Sequence, residues 1–405
     1  MNAATSTTAP AATAARPGAE RLSLASLAAS YFMLGTGSLA VIGLLDPLAA
    51  ELHVARTDVA QLVTVFALTF AVAAPLLQIV LGHLPRRTLL LCGLVVLAAG
   101  SLMSAIASTY ATAVAARVVM ALGAAAVGPV ASALGAGLVA PQQQARALAT
   151  VFGGMTIASV VGVPLCAWVG HALSWQAVFA ALAVLALLCA CSVARTIADR
   201  SPGAPLTARS LAQVVQRPAT RWAITTTLLQ MAAQFASYAL VAVLLAERFH
   251  VAAAAVSGAL LVFGIGGIAG NVLAGRLADR MDTDRLLWAA LGGLLAVFAA
   301  MAAAPYSAAT GIALLFAWAI VGMLFQAPQQ RRLIGVAPEL RGLLLAMNAS
   351  SLYLGMSLGA FAGKQAYEAW GAPGLLAASI ALAALAASAF ALSRRAVRRT
   401  AGQSH

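Results

Sequence analysis

The chain has 405 residues, of which 62% are hydrophobic and 9% charged, where a soluble domain carries roughly a quarter charged residues. That composition excludes a disordered chain, a collagen-like chain and a soluble enzyme, and a mean hydropathy of +0.94 makes a bilayer the solvent. The net charge of +13, from 24 basic and 11 acidic residues, does not mark a nucleic-acid binder: the basic residues sit in short gaps between apolar stretches, where a membrane protein records its orientation.

Residues 1–21 are rich in Ala, Thr and Pro and lack a basic start with an apolar core. They read as a disordered cytoplasmic tail, not a signal peptide. Six apolar stretches follow, at about 25–50, 59–82, 88–107, 111–139, 147–170 and 175–194, which set a first bundle at 22–194. A polar segment at 195–220 reads as a cytoplasmic linker. Six more stretches, at about 221–246, 255–276, 286–304, 309–330, 342–365 and 373–393, set a second bundle at 221–393, and 394–405 is a basic cytoplasmic tail. At ~20 residues per span, the expectation is an all-α integral membrane protein of twelve transmembrane helices.

Charge supports the count. With the N-terminus in the cytoplasm, 20 arginines fall in inside segments, Arg56, Arg248 and Lys364 fall outside, and Arg117 falls within a span. That positive-inside bias requires an even number of spans and puts both termini inside. The halves also repeat. His53-Val54-Ala55 recurs as His250-Val251-Ala252, and Val139-Ala140-Pro141 as Val336-Ala337-Pro338, both at an offset of 197. Two parallel six-helix repeats suit a carrier whose site lies between them.

Along the chain, Asp46 in the first span is the one acid well inside an apolar stretch, and Pro47 follows it. Arg117 in the fourth span costs at least ~2.5–3.5 kcal/mol to embed, so it faces a cavity or partner, or snorkels outward. The two fall at similar depth. Paired, they would hold a carboxyl between burial, which raises its pKa, and a cation, which lowers it; otherwise Asp46 is an interfacial cap. The four cysteines, Cys92, Cys166, Cys189 and Cys191, read as small buried apolar residues, with no metal site. In the fifth span Ala158, Gly162, Cys166 and Gly170 step by four, with Pro164 among them; small residues at that step allow close helix packing. Gln230, Gln234 and Tyr238 share one face of the seventh span, and Gln326, Gln329 and Gln330 gather in the tenth. Both sets are open to cavity lining or to interhelical hydrogen bonding. Gly264-Ile-Gly266-Gly-Ile-Ala269 imitates a dinucleotide fingerprint but lies in a span without a preceding strand, so no cofactor is expected.

Between the second and third spans stands Leu84-Pro85-Arg86-Arg87, and between the eighth and ninth stands Gly275-Arg276-Leu277-Ala278-Asp279-Arg280. On these strings the chain resembles the major facilitator superfamily, which carries G-x-L-A-D-R-x-G-R-R at the first site and a weaker copy at the second. The second site matches; in the first, Gly82 takes the Asp position, a form similar to the sugar-efflux and chloramphenicol-resistance permeases. The resemblance spans 22–393. It implies alternating access, with Arg86, Arg87, Gly275, Asp279 and Arg280 as conformational motifs. Arg117-Val-Val-Met-Ala-Leu-Gly123 resembles the family's proton-coupling motif, which makes Asp46 and Arg117 the coupling candidates. Gly162-Val-Pro164-Leu resembles the family's antiporter motif, a mark of exporters. A cavity lined by spans 1, 4, 7 and 10 would take Tyr31, Gln230, Gln234, Tyr238 and Gln326, with Asn348 from the eleventh. The expectation is proton-coupled efflux of a small organic compound across the inner membrane by a monomer, its partners being substrate, protons and lipid. An uptake carrier of the same fold stays open. A membrane enzyme would need a cluster of embedded His, Cys or carboxylates, which the sequence lacks.

Overall fold

The structure, a computed structural model, describes residues 17–139, 144–198, 214, 216–278, 280–303, 307–337 and 340–402. Most of the expected tail at 1–21, most of the linker at 195–220 and Pro141 and Pro338 of the repeated tripeptide lie outside the described residues. Helix α1 runs Pro17–Gly43 and, after a break at Leu44, continues as Leu45–Leu52. Then come α2 (Arg56–Val80), α3 (Arg86–Ala105) and α4 (Tyr110–Gly137). Helix α5 is Gln144–Ile157, a π-helical turn Ala158–Gly162, and Val163–Ala172, and α6 is Trp175–Thr196. In the second half α7 is Pro218–Tyr238 followed by Val241–Phe249, the two parts meeting at 56°. Next are α8 (Ala253–Ala278), α9 (Thr283–Ala303) and α10 (Ala308–Leu324, then Gln326–Val336).

The last helical segment, Arg341–Gly402, holds 62 residues. At 1.5 Å per residue it would be about 90 Å long, three times the bilayer core. Gly371 resolves this: its φ of 65° and ψ of −154° leave the helical region, a conformation open to glycine alone. The chain turns back there. Leu228, Ala232 and Ala236 of α7 meet Gly355, Gly359 and Gly363 at a constant offset, so that part runs parallel to α7. Ser237 meets Leu375 and Ser379, and Ala219 meets Ser393, so the part after Gly371 runs antiparallel. We call these α11 (341–370) and α12 (372–402). The helix continues through the arginines of the expected tail to Gly402. Among the described residues, ten helices are long and apolar enough to cross a membrane, the bent α7 adds one, and the split at Gly371 makes twelve.

The repeat seen in the sequence recurs in the backbone. Helices begin at Arg56 and Ala253, at Arg86 and Thr283, and at Gln144 and Arg341, all 197 apart. His53 and His250, also 197 apart, both cap a broken span in the left-handed region, at φ 54° and 56°. The small-residue steps correspond too: Ala158 and Gly162 face α1 as Gly355 and Gly359, 197 residues on, face α7. A methyl group on Gly363 would strike the carbonyl of Ala236, and one on Gly154 the carbonyl of Ala28. These contacts let α5 lie against α1, and α11 against α7, backbone to backbone.

Leu165, Trp168, Leu188 and Leu385 lie half or more exposed on outward faces, as lipid-facing residues must. Of the four cysteines expected in buried places, Cys166 is buried, while Cys92 and Cys191 lie on exposed faces; all four are free thiols.

Candidate functional site

Two helix pairs join the halves. In the first, α2 runs antiparallel to α11. The Lys364 ammonium lies 2.6 Å from the Asp58 carboxylate, Gln61 donates to the Ala360 carbonyl at 3.4 Å, and Phe70 stacks on Tyr353 with ring centroids 3.7 Å apart. In the second, Gly264 of α8 sits flush against Val160 and Ser159 in the π turn of α5, leaving no room for a side chain.

These contacts lie between the middle of the helices and the end that carries His53 and His250. Toward the arginine-rich end the same faces part. Ile157 is 55% and Ile268 43% exposed, and the space beside Gly153 and Gly275 is empty. The α5–α8 faces thus meet toward the histidine end and part toward the arginine-rich end, while Phe70, Tyr353 and Tyr31 are buried at the middle of the helices.

Arg117 is 1% exposed and holds helices rather than a carboxylate. It donates to Gly37 O at 2.6 Å, Ser38 O at 2.9 Å and Leu62 O at 3.2 Å, and its guanidinium stands 4.5 Å from the centre of the Phe66 ring. A planar fork of five donors can reach several carbonyls at once, so one side chain of α4 ties α1 and α2 together. The expected meeting of Asp46 with Arg117 does not occur. The break at Leu44 puts Asp46 on the separate short helix Leu45–Leu52, at the histidine end. There it pairs with Arg56 at 2.7 Å, the side chains 35% and 48% exposed. A partner ten residues along the chain, in reach of water, satisfies the acid at less desolvation cost than the buried arginine would.

The expected cavity residues divide. Tyr31 hydrogen-bonds Ser132 of α4 at 2.8 Å and sets its ring edge-on to Phe152. Gln234 accepts from the Trp318 indole at 3.2 Å. Tyr238 stacks on Phe263 and meets Phe235 and Trp318 edge-on. Gln234 and Tyr238 therefore build an aromatic core between α7, α8 and α10. Asn348 accepts from Thr227, which accepts from Gln329; that chain links α11, α7 and α10. Gln230 is 1% exposed and neither end of its amide has a partner. Gln326 opens the second part of α10, and its buried amide nitrogen is also unpartnered. The antiparallel register that sets Gln234 on Gly322 and Thr227 on Gln329 brings Gln230 and Gln326 to one level.

Among the motif residues, Arg87 donates to the Ala194 carbonyl at 2.5 Å, tying α3 to the end of α6. Arg86 lines a cleft with Gln78, Leu89 and Pro129. Gly162 closes the π turn against the Thr36 hydroxyl. Pro164 follows it, and Val163 N–H reaches back five residues to Ala158 O; the wider turn precedes a residue that has no N–H to give. Gly275 and Arg280 are exposed, and Asp279 lies outside the described residues. Among the described residues, Asp284 holds arginines at this end, 3.0 Å from Arg332 and 2.7 Å from Arg394. Sequence reasoning missed it, and missed Asp58 with Lys364. The one available signal was that Lys364 is the chain's single lysine.

The family model described as Major Facilitator Superfamily matches residues 27–360. The chain is 31% identical over 343 residues to the inner membrane transport protein YdhP of Escherichia coli (strain K12), covering 84% of this chain and 87% of that protein. It is 33% identical over 365 residues to a chloramphenicol resistance protein of Streptomyces lividans, covering 89% and 84%. Among solved structures, a bacterial homolog of the human lysosomal transporter Spinster, in an inward-facing and unoccupied conformation, superposes with a TM-score of 0.73 at 14% identity over 95% of this chain and 98% of that one. That likeness shows the fold.

Proposed function

The chain belongs to the major facilitator superfamily of multi-pass membrane transporters, and from that premise we propose that it exports a small organic compound in exchange for protons by alternating access. The observation that carries the reading is the pair of seams. The halves are joined at the histidine end by Asp58–Lys364 and Gly264–Val160 and parted at the arginine-rich end. With the arginine-rich loops in the cytoplasm, this conformation opens inward and takes substrate from the cytoplasmic side of the inner membrane.

Export is favoured by the Gly162-Val-Pro164-Leu turn of α5, which meets α1 on one side and α8 on the other. It is favoured also by the likeness to a chloramphenicol resistance protein. The aromatic rings, hydroxyls and amides buried between the helices, Tyr31, Phe70, Tyr353 and Gln230 among them, suit neutral or mixed-polarity compounds. Asp46 and Arg117 enter as separate groups. Asp46 is a half-exposed carboxylate able to take up a proton at the outer end, and Arg117 is a fixed charge in the seam between α1, α2 and α4. A monomer suffices, because both halves of the pathway belong to one chain.

The test uses everted membrane vesicles with an acid interior, a pH-sensitive dye, and amphenicols and sugars as first compounds. A compound that dissipates the gradient only where the protein is present supports proton-coupled export, and loss of the response in Asp46→Asn supports that acid. Silence across the panel, with accumulation of a compound by whole cells, would instead make the protein an uptake carrier.

A further inference from the structure

We propose that Asp58 and Lys364 form a proton-released latch that holds the outer end of the pathway shut. The ion pair crosses from α2 to α11 at 2.6 Å, and its neighbours on the same seam are the Gln61–Ala360 hydrogen bond and the Phe70–Tyr353 stack. The helices therefore cannot separate at the outer end without breaking it. The inference rests on the alternating-access reading.

Packing does not require the pair. The repeat supplies a control within the molecule, because the residues 197 away, Ala255 and Ala167, carry no charge. In the corresponding seam, between α5 and α8, Gly264 packs on Val160 and the Ser159 carbonyl, and among the described residues no ion pair crosses it. One seam is thus apolar and the other has an added ion pair, which buries apolar surface no better but responds to protons.

The surroundings fix how release would work. Lys364 also lies 3.6 Å from Glu368, one turn along its own helix. If Asp58 takes up a proton, Lys364 keeps Glu368 and its charge stays paired within the second half. The cross-half attraction ends and no cation is left alone. Asp58 stays anchored, since Tyr110 of α4 donates to its backbone carbonyl at 2.9 Å. Other charged groups at this end are engaged separately: Arg56 with Asp46, Glu247 with the Tyr367 hydroxyl, Glu51 with the Trp175 indole and the Gln176 amide, and Arg248 with the Ala302 carbonyl; His53, His171 and His250 stand at the same end. Asp58 is 39% exposed, so protons arriving from outside reach it while the gate is shut. Proton binding from the outer side and opening toward that side become one event, as proton-driven export requires.

Distances across the outer end test this. Spin labels are attached to Ser108→Cys and Ala252→Cys, exposed loop positions on the two halves, in a chain whose four native cysteines are alanine, reconstituted without substrate. The wild-type pair should give a short distance at a pH of about 8 and gain a longer population as the pH falls to about 4 and below, the range in which aspartates take up protons. Asp58→Asn should show the long population already at the higher pH, raised about fivefold, which is the ceiling for a partly exposed pair, and should not respond further to acid. Asp58→Lys with Lys364→Asp should restore the short distance at the higher pH, which separates loss of the latch from loss of the fold. Wild-type distances that ignore pH, or an Asp58→Asn variant that stays shut, would overturn the proposal. Because no substrate is present, a chain that opens with acid yet moves no compound would contradict the transport reading and leave the latch standing.

Discussion

If Arg117 is a helix tie rather than the partner of Asp46, the two residues must contribute independently. Consider Arg117→Gln, Asp46→Asn and the double variant. Arg117 makes three charge-assisted hydrogen bonds to carbonyls, worth roughly 1.5 kcal/mol each at the low end. Its approach to Phe66 adds about 1 kcal/mol. Removing a cation from the apolar interior returns about 3 kcal/mol. The net expected loss is about 2–3 kcal/mol. Asp46 is half-exposed with Arg56, so Asp46→Asn should cost under about 1 kcal/mol. The assay is equilibrium unfolding in mixed detergent micelles, followed by tryptophan fluorescence. The double variant should lose the sum of the single losses within about 0.5 kcal/mol. The cycle between Asp46 and Arg56 should show coupling of up to about 1 kcal/mol. Coupling above about 1 kcal/mol between Asp46 and Arg117 would refute the assignment.

Three further expectations follow from the packing. Gly363→Ala drives a methyl into the Ala236 carbonyl and should lower stability by roughly 1–3 kcal/mol, while Gly275→Ala, with open space beside it, should be neutral or slightly stabilising; equal thermal shifts for the two would contradict the close α7–α11 contact. Gln230→Leu removes a buried amide without a partner and should raise the melting temperature by the equivalent of roughly 1–3 kcal/mol; a fall would mean that the amide is satisfied. Asp284→Asn leaves Arg332, whose side chain is 6% exposed, without its acid and should destabilise by roughly 3 kcal/mol. Unchanged unfolding would show that Ser393, its other partner at 2.9 Å, suffices.

The architecture was legible in the sequence because it rests on periodic and additive signals. Apolar length marks the spans, arginine placement tells one end of the bundle from the other, and the 197-residue offset marks the repeat. The last is explicit enough that His53 and His250, matched as letters, take the same left-handed backbone. The small-residue step in the fifth span likewise announced a close helix contact, though not that its partner is α1. The site was less legible. Arg117 bonds to carbonyls of Gly37, Ser38 and Leu62, and a backbone carbonyl has no sequence signature. Asp46 was matched to an arginine at equal depth, but the break at Leu44 moved it off the straight helix on which that match depended. The latch joins residues 306 apart on spans from opposite halves, and its counterpart in the repeat is a pair of alanines. A pattern present once cannot be found by looking for repetition.

The central claim is that the halves rock about seams that close at the histidine end. Gln61→Cys with Ala360→Cys, on the α2–α11 seam of a chain without other cysteines, tests it most directly. The Gln61 side chain already reaches the Ala360 carbonyl at 3.4 Å, so the two positions lie side by side across the seam and neither is a glycine that packing requires. Reconstituted into vesicles with a compound that the native protein moves, the reduced variant should transport, the oxidised variant should stop, and reductant should restore it. Full transport by fully cross-linked protein would contradict the account, because a pathway that works with this end locked shut does not alternate.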